Sequence, residues 1–219
     1  MQSIIDVKDV FLGYTKNSVI LKNINIALKK GQFCLIVGKN GVGKTTLIKF
    51  LCMKLLPLKG EYFIFSEKVE KKNKMNIQRI RKKIGVIQQN NYLIPYLSVY
   101  QNVQIALEIQ NEDKSKFFDK ISQILNWVGI QHKMNQKVQI LSSGEKQKVI
   151  LARAVVSNPD LIIADEPTLN LDEKTKDKFL FLLKSLTRQG TTVVLTGNNI
   201  CTKDEGTIIL NLDRHSKDD

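Results

Sequence analysis

The sequence has no long hydrophobic run, since none of its apolar stretches approaches the ~20 residues that a membrane-spanning helix needs. Residues 1–7 also lack the basic start and apolar centre of a secretory signal peptide. Proline and glycine are not enriched, and we find neither an internal repeat nor a low-complexity segment. We therefore expect a folded cytosolic chain whose 219 residues form one large domain or one domain with a small subdomain.

Cysteine is scarce and odd in number, with Cys34, Cys52 and Cys201 far apart in the chain. Cys34 falls in a strand pattern and Cys52 in a helix pattern. We expect both to fill the core rather than to bind metal or to form a disulfide.

Acidic residues are in deficit, because 34 lysines and arginines face 21 acidic residues and the formal net charge is +13. One basic cluster stands out, made of Lys68, Lys71, Lys72, Lys74, Arg79, Arg81, Lys82 and Lys83. The positive charge has three alternative explanations: a Lys-rich surface without a binding role, a surface that faces an anionic inner membrane, or a surface that binds nucleic acid. Nucleic acid is the least favoured, because no aromatic residues alternate with the basic ones as a stacking platform requires.

Residues 38–46 read Gly-Lys-Asn-Gly-Val-Gly-Lys-Thr-Thr and match a phosphate-binding P-loop. Its glycines let backbone N–H groups turn toward phosphates, Lys44 reaches the β and γ phosphates, and the Thr45 hydroxyl is a ligand for Mg²⁺. An apolar run precedes the loop and a helical pattern follows it, as this mechanism needs. The candidate phosphate-binding residues are Gly38, Lys39, Asn40, Gly41, Val42, Gly43, Lys44, Thr45 and Thr46.

A second apolar run, residues 161–164, ends in Asp165, Glu166 and Pro167. If this run is a parallel strand, both carboxylates lie at the sheet edge where open α/β sheets bind ligands. We expect Asp165 to hold Mg²⁺ and Glu166 to orient and polarise the attacking water.

A third motif, Leu-Ser-Ser-Gly-Glu at residues 141–145, opens a helical stretch between the other two. With this motif in place, the chain resembles the ATP-binding-cassette (ABC) ATPase family over nearly its full length. The resemblance implies that Ser142, Ser143, Gly144 and Glu145 form the family signature. It also implies ATP and Mg²⁺ as cofactors and a dimer, in which Ser142 and the Gly144 N–H contact the γ-phosphate of ATP held by a second subunit.

The resemblance implies further site residues. Gln89 occupies the position of the family's glutamine that senses Mg²⁺ and water. Tyr14 occupies the position of the family's aromatic residue that stacks on adenine. Residues 170–172 match the loop that crosses the dimer interface. Asn198 stands where the family has a histidine on the γ-phosphate, and it cannot carry a proton or a positive charge there. Slow hydrolysis, or binding of ATP as a switch, is the implied consequence, and hydrolysis is favoured because Glu166 is intact.

The pattern of elements predicts an α/β fold with a mostly parallel sheet flanked by helices, an N-terminal antiparallel β flap and an inserted helical subdomain. Residues 1–98 and 159–219 would form the nucleotide-binding core, and residues 99–158 the helical subdomain. Predicted strands cover 33–37, 61–65, 84–87, 161–165, 192–196 and 207–212. Predicted helices cover 46–56, 76–83, 99–128, 145–157 and 173–188. We further predict turn residues at Gly13 and 16–18, a helix break at 111–115 capped by Ser115, and a frayed tail from residue 213.

Within the family, Glu-Pro-Thr-Leu-Asn-Leu-Asp at residues 166–172 resembles the branch of the FtsE, LolD and MacB ATPases. The resemblance leans toward FtsE and implies an FtsX-like membrane partner in bacterial cell division. A lipoprotein-releasing or export permease remains the alternative partner. Either one implies a peripheral location on the cytoplasmic face of the inner membrane. A soluble ABC ATPase acting on nucleic acid, or a non-catalytic scaffold, is a further alternative.

Overall fold

The predicted α/β architecture is confirmed by the computed structural model, which describes residues 3–15, 17–70, 72–88, 93–169, 171–197 and 206–215. The strands are β1 (Ser3–Thr15), β2 (Ser18–Lys29), β3 (Phe33–Val37), β4 (Lys59–Ile64), β5 (Glu67–Lys68), β6 (Ile84–Ile87), β7 (Leu161–Ala164), β8 (Thr192–Thr196) and β9 (Thr207–Asn211). The helices are α1 (Lys44–Leu51), α2 (Lys74–Lys82), α3 (Val99–Gln110), α4 (Phe117–Trp127), α5 (Ser143–Val155) and α6 (Glu173–Arg188).

The central sheet has the order β6-β7-β8-β3-β9, and every pairing in it is parallel. Alternate residues of its strands enter two different cores. In β3, Phe33 and Leu35 pack with residues of α3–α6, whereas Cys34 and Ile36 pack with the flap and α1. A parallel sheet covered on both faces explains why its strands read as unbroken apolar runs.

The N-terminal flap is a second sheet, antiparallel, of order β2-β1-β4-β5. The turn predicted at Gly13 is wrong, because β1 continues to Thr15 and pairs Gly13 with Val19. Glycine is needed there for close approach, since a Cβ on Gly13 would lie 2.1 Å from the Ser18 carbonyl oxygen. The predicted turn residue Lys16 lies outside the described residues.

Helix α1 is shorter than predicted, because it ends at Leu51 instead of continuing to residue 56. Met53 has a left-handed φ of 57°, which turns the chain out of the helix. The Arg81 guanidinium then donates to the Met53 carbonyl at 2.8 Å, and its Nε approaches the Cys52 carbonyl at 3.4 Å. A long-range contact therefore stabilises this helix end.

Between residues 99 and 158, helices α3, α4 and α5 pack on one another, and α5 also packs on β6. The break between α3 and α4 is confirmed, but Ser115 is not its cap. Asp113 caps a short 3₁₀ helix at Lys114–Lys116 by accepting from the Ser115 backbone N–H. The boundaries of a helical subdomain at 99 and 158 stay a prediction.

The start of the tail is anchored rather than frayed. Residues Leu212–His215 form a 3₁₀ helix, and Leu212 is fully buried. Asp213 Oδ1 accepts from the backbone N–H of Lys39 at 2.8 Å. The tail therefore supports the loop between β3 and α1, while residues 216–219 lie outside the described residues.

The core role predicted for two of the cysteines is confirmed. Cys34 and Cys52 are both buried and free, and burial raises the pKa of each thiol to about 12. Cys201 lies outside the described residues. Among the described helices, none is long and apolar enough to cross a membrane.

Candidate functional site

Three neighbouring strand ends build the candidate site. Strand β8 lies between β3 and β7, and all three point the same way. The P-loop follows β3, the acidic pair follows β7, and Gly197 follows β8. Strand order therefore brings together segments that are more than a hundred residues apart in the chain, as expected for the ligand-binding edge of an open α/β sheet.

The P-loop has the backbone that its glycines predict. Gly41 and Gly43 have φ values of 83° and 114°, and α1 begins at the next residue, Lys44. A side chain on Gly43 would also collide with the flap, because its Cβ would lie 2.9 Å from Ile20 Cγ2. The loop is therefore held between the sheet and the flap, with the N-terminus of α1 behind it, a favourable place for an anion.

Lys44 is almost fully buried, with 6% of its surface exposed. Its ammonium donates to the carbonyl oxygens of Gly38 at 2.8 Å and Lys39 at 3.2 Å. The same nitrogen lies 3.7 Å from Oε1 of Glu166, whose side chain is 21% exposed. The structure thus brings the predicted phosphate-binding cation and the predicted catalytic carboxylate into contact.

Thr196, at the end of β8, ties the acidic pair to the sheet. Its hydroxyl donates to Asp165 Oδ1 at 2.8 Å and accepts from the Glu166 backbone N–H at 2.9 Å. Asp165 is 5% exposed, and Glu166 has a left-handed φ of 44°, which is strained for a residue with a side chain. Sequence reasoning missed Thr196, whose only signal was a hydroxyl at the end of an apolar strand.

These segments enclose a cavity of about 690 Å³, within the size range of small-molecule sites. It is lined by Asn40, Gly41, Gly43, Lys44, Thr45, Thr46, Glu166, Thr168, Leu169, Leu171, Glu173, Lys176 and Gly197. Of the other predicted P-loop residues, Gly38, Lys39 and Val42 shape the loop without lining the cavity. Lys176 of α6, a second lysine at the cavity, was not predicted from the sequence.

The donors around the cavity fit a magnesium ion bound mainly through phosphate and water. Thr45 lines the cavity with a hydroxyl, and the buried Asp165 carboxylate directly precedes the lining residue Glu166 in the chain. Within the described ranges, no three acidic, histidine or cysteine side chains cluster as a metal cage. Mg²⁺ keeps several waters and uses one or two protein ligands beside nucleotide phosphates, so this donor set is sufficient.

Tyr14 lies beside α1 and is 57% exposed. The Lys49 ammonium donates to its hydroxyl at 3.1 Å and lies 5.4 Å from the ring centroid. Hydrogen bonds from Lys49 and then Thr46 lower the pKa of Tyr14. Its ring does not line the cavity, and its role with adenine stays a prediction.

The signature turn starts α5 with a complete capping box. The Ser142 hydroxyl accepts from the Glu145 backbone N–H at 3.3 Å, and Glu145 Oε2 accepts from the Ser142 N–H at 2.9 Å. The Lys133 ammonium also binds Glu145, and these bonds lower the Glu145 pKa. Residues 142–145 do not line the P-loop cavity, and Gly144 lies against Thr175 of α6 instead. One chain thus does not bring its signature turn into the cavity that its own P-loop forms.

A buried amide connects the signature helix to the acidic loop. Gln147 of α5 is 6% exposed, and its Nε2 donates to the Pro167 carbonyl at 2.5 Å. Pro167 directly follows Glu166 in the chain. This link was not predicted from the sequence, because it depends on how α5 packs against the loop after β7.

Gln89, Asn198 and Asn170 lie outside the described residues. The elements before them are described: the Ile87 carbonyl accepts from the Asp165 N–H at 2.8 Å, and the Gly197 N–H donates to the Ile36 carbonyl at 3.2 Å. Asp172, in the predicted interface loop, caps α6 by accepting from the Thr175 N–H at 2.9 Å.

Comparison with known proteins identifies relatives along most of the chain. The ABC transporter family model matches residues 21–169. The cell division ATP-binding protein FtsE of Bacillus subtilis (strain 168) is 37% identical over 195 residues, covering 89% of this chain and 86% of that protein. The methionine import ATP-binding protein MetN of Francisella tularensis subsp. tularensis (strain FSC 198) is 36% identical over 200 residues, covering 90% of this chain but 57% of that longer protein.

Solved structures agree with the fold. The dimeric structure of MJ0796, a bacterial ABC transporter cassette, superposes with a TM-score of 0.83 at 32% identity, covering 95% of this chain and 94% of that one. A dimeric post-hydrolysis state of the same cassette, bound to ADP and Pi, gives a TM-score of 0.80 at 32% identity, covering 89% and 88%. The family resemblance predicted from the sequence motifs is confirmed.

Proposed function

The chain belongs to the ABC transporter family, and we propose that it is the ATP-binding and ATP-hydrolysing subunit of an ABC-type membrane complex. One observation carries the proposal: the P-loop, the carboxylate of Glu166 and the end of β8 share a single cavity. Within it, the Lys44 ammonium and Glu166 Oε1 lie 3.7 Å apart, so the predicted phosphate-binding cation and the predicted catalytic carboxylate are neighbours.

ATP binding is assigned to the P-loop. Backbone N–H groups of residues 38–46 and the start of α1 would hold the phosphates, and Lys44 would bind the β and γ oxygens. Tyr14 would stack on adenine. Thr45 and Asp165 would hold Mg²⁺ together with Gln89; when bound, the ion would neutralise charge on the transferred phosphoryl group.

Hydrolysis is assigned to Glu166, which would orient a water for in-line attack on the γ-phosphate. The Thr196 hydroxyl would position this carboxylate by holding the Glu166 backbone, and would hold Asp165 through a second hydrogen bond. Asn198 would donate an amide hydrogen bond to the γ-phosphate in place of a cationic histidine, which favours a slow turnover.

A second subunit would complete the site. Ser142, Ser143, Gly144 and Glu145 would close over ATP that another chain holds, and their separation from the P-loop cavity of their own chain supports this arrangement. Opening and closing of the pair would then move a membrane partner.

The partner that we propose is an FtsX-like membrane protein in bacterial cell division. Similarity to FtsE of Bacillus subtilis over 89% of the chain supports it, and so does the sequence of residues 166–172. Similar identity to a methionine import ATPase keeps a transport permease as the alternative. In either complex the chain would sit on the cytoplasmic face of the inner membrane.

The enzymatic proposal is tested by two substitutions at the cavity. Glu166→Gln should lower the ATPase rate about 100-fold or more, because the base is lost. The Glu166→Gln variant should retain ATP binding, because Lys44 keeps its positive charge and loses only the negative charge beside it. Lys44→Ala should weaken ATP binding about tenfold or more, because a charged hydrogen bond to phosphate is lost. Steady-state phosphate release and nucleotide titration measure both effects.

Glu108→Gln on α3, an exposed acid far from the cavity lining, is the control and should hydrolyse ATP at the wild-type rate. A wild-type rate in Glu166→Gln would remove Glu166 from the mechanism. Unchanged ATP affinity in Lys44→Ala would contradict the assignment of the P-loop.

The partner is tested by capture. Glu166→Gln, trapped with MgATP and purified from native membranes, should bring down one FtsX-like membrane protein. Recovery of a transport or lipoprotein-release permease instead would move the chain to the other branch. Recovery of no membrane protein would contradict the membrane-complex proposal as a whole.

A further inference from the structure

The segment before β6 carries a concentration of positive charge that the rest of the fold neutralises only in part. Glu70 is its single acid between Lys68 and Lys83. Lys68 pairs with Glu61 and Arg79 with Glu67, while Arg81 binds backbone carbonyls. The Lys83 ammonium lies 5.3 Å from the centroid of the Phe65 ring, and Lys71 lies outside the described residues. Lys72, Lys74 and Lys82 are exposed, and their ammonium groups bond to no described residue.

An apolar side chain projects from the same face. Met75 is 84% exposed, the highest value among the large hydrophobic residues that the structure describes. On a helix, positions 75, 79 and 82 lie on one side, next to position 74. The outer face of α2 therefore presents an exposed methionine among basic side chains.

A groove of about 440 Å³ continues this face toward α3 and α5. It is lined by Gln78, Arg81, Lys82, Ile84, Gly85, Val86, Ala106, Ile109, Gln110, Arg153, Ala154 and Ser157. Three of these are cations, none of the described lining residues is acidic, and the floor is apolar. Ile109 is 60% exposed, so apolar surface is present here as well.

We propose that the outer face of α2 and this groove bind the anionic phospholipids of a bilayer surface. The basic side chains match the lipid phosphates, and Met75 and Ile109 match the boundary between headgroups and acyl chains. Nucleic acid fits less well, because this surface offers exposed aliphatic side chains and no exposed aromatic ring among its described residues. The proposal goes beyond ATP hydrolysis, since none of these residues lines the nucleotide cavity.

The expected affinity for an anionic membrane indicates what this surface can do. Each basic residue near an anionic membrane contributes roughly fivefold in affinity, so the three unpaired lysines give about a hundredfold. That is a weak, reversible attachment for a free chain. It becomes effective once a membrane partner holds the chain at the surface, because binding is then intramolecular. The surface would therefore orient the subunit against the membrane rather than recruit it alone.

Vesicle flotation of the full chain tests the proposal, with phosphatidylcholine vesicles that either contain or lack phosphatidylglycerol. At low salt the protein should float with the anionic vesicles only, and added salt should release it. The affinity of K72E/K74E/K82E for anionic vesicles should fall about a hundredfold or more, and that of Met75→Ser roughly tenfold. K29E/K137E/K178E changes three exposed lysines on other elements by the same net charge and should retain most of the binding.

Four outcomes overturn the proposal. The first three are no binding of the wild-type chain to anionic vesicles at low salt, equal losses in the two triple variants, and α2-dependent binding of single-stranded RNA without vesicle binding. The fourth is a K72E/K74E/K82E chain that still floats with anionic vesicles. The ATPase rate of each variant separates this proposal from the enzymatic one. A K72E/K74E/K82E chain that hydrolyses ATP normally but still floats would reject the lipid surface alone.

Discussion

At the scale of single residues, Thr196 is the side chain on which both acids depend. It is fully buried, and its one hydroxyl serves the Asp165 carboxylate and the Glu166 N–H together. A buried carboxylate or amide that loses such a partner carries an uncompensated desolvation cost of about 1–3 kcal/mol. The same hydroxyl also fixes where the strained Glu166 backbone lies, so its loss should reach the chemistry.

We predict that Thr196→Val destabilises the protein by about 1–3 kcal/mol and lowers the ATPase rate at saturating ATP. Urea unfolding and phosphate release measure the two effects. The matched control is Thr192→Val at the other end of β8, a fully buried threonine that accepts from the Gly31 N–H at 3.1 Å. It should cost similar stability with a normal rate. Equal rates in the two variants would contradict a positioning role for Thr196.

The P-loop and the acidic strand end could be read from the sequence because each is a local signal: a glycine pattern, and an apolar run with its terminal acids. Thr196, Gln147 and Lys176 could not be read in this way. Their roles arise from strand order and from the packing of α5 and α6, which no local pattern encodes. Asp213 is a similar case, because it reaches the P-loop from the far end of the chain.

At the scale of elements, strands 33–37, 84–87 and 192–196 and helix 173–188 were predicted with their observed bounds. Polar residues or glycine border each of them, and their apolar periodicity is clear. The prediction for α1 failed at its C-terminus because the apolar residues Met53, Leu55 and Leu56 continue a helical pattern. What ends the helix is the left-handed Met53 and the distant Arg81.

The start of the signature helix supplies a prediction for pH. Hydrogen bonds from Lys133 and from the Ser142 N–H lower the Glu145 pKa below its ordinary value of 4.5. A carboxylate whose pKa is lower in the folded state adds stability above its unfolded pKa. That stability is lost as the pH falls through the folded value. The contribution should therefore be complete at neutral pH and disappear in the acid range below 4.5.

We predict that Glu145→Gln lowers the free energy of unfolding by about 0.3–1 kcal/mol near neutral pH, the usual contribution of a carboxylate at a helix N-terminus. The gap from wild type should close in acid. Urea unfolding across this pH range measures it. Glu173→Gln, at an acid in the first turn of α6 that is 82% exposed, is the control and should show little change at any pH. A constant gap from neutral to acid pH would contradict the assigned pKa.

At the scale of the whole molecule, the cavity and the signature turn are on one chain but not at one site. Thirteen of the described residues line the cavity, and none comes from residues 142–145. The α5 N-terminus is nevertheless well formed, with a complete capping box and a buried link from Gln147 to the acidic loop. A capped helix start that lies outside the cavity of its own chain is the arrangement that service to a second chain requires.

We predict that hydrolysis is bimolecular in the protein. The wild-type ATPase rate per chain should rise with protein concentration at saturating MgATP, because each cavity needs the signature turn of another copy. Glu166→Gln should form a dimer with MgATP and remain a monomer with MgADP, as light scattering would detect. Adding Lys44→Ala should abolish that dimer, since the phosphates that join the two chains are then bound weakly. A rate per chain that is independent of concentration, in a protein that stays monomeric with MgATP, would show that one chain completes its site alone.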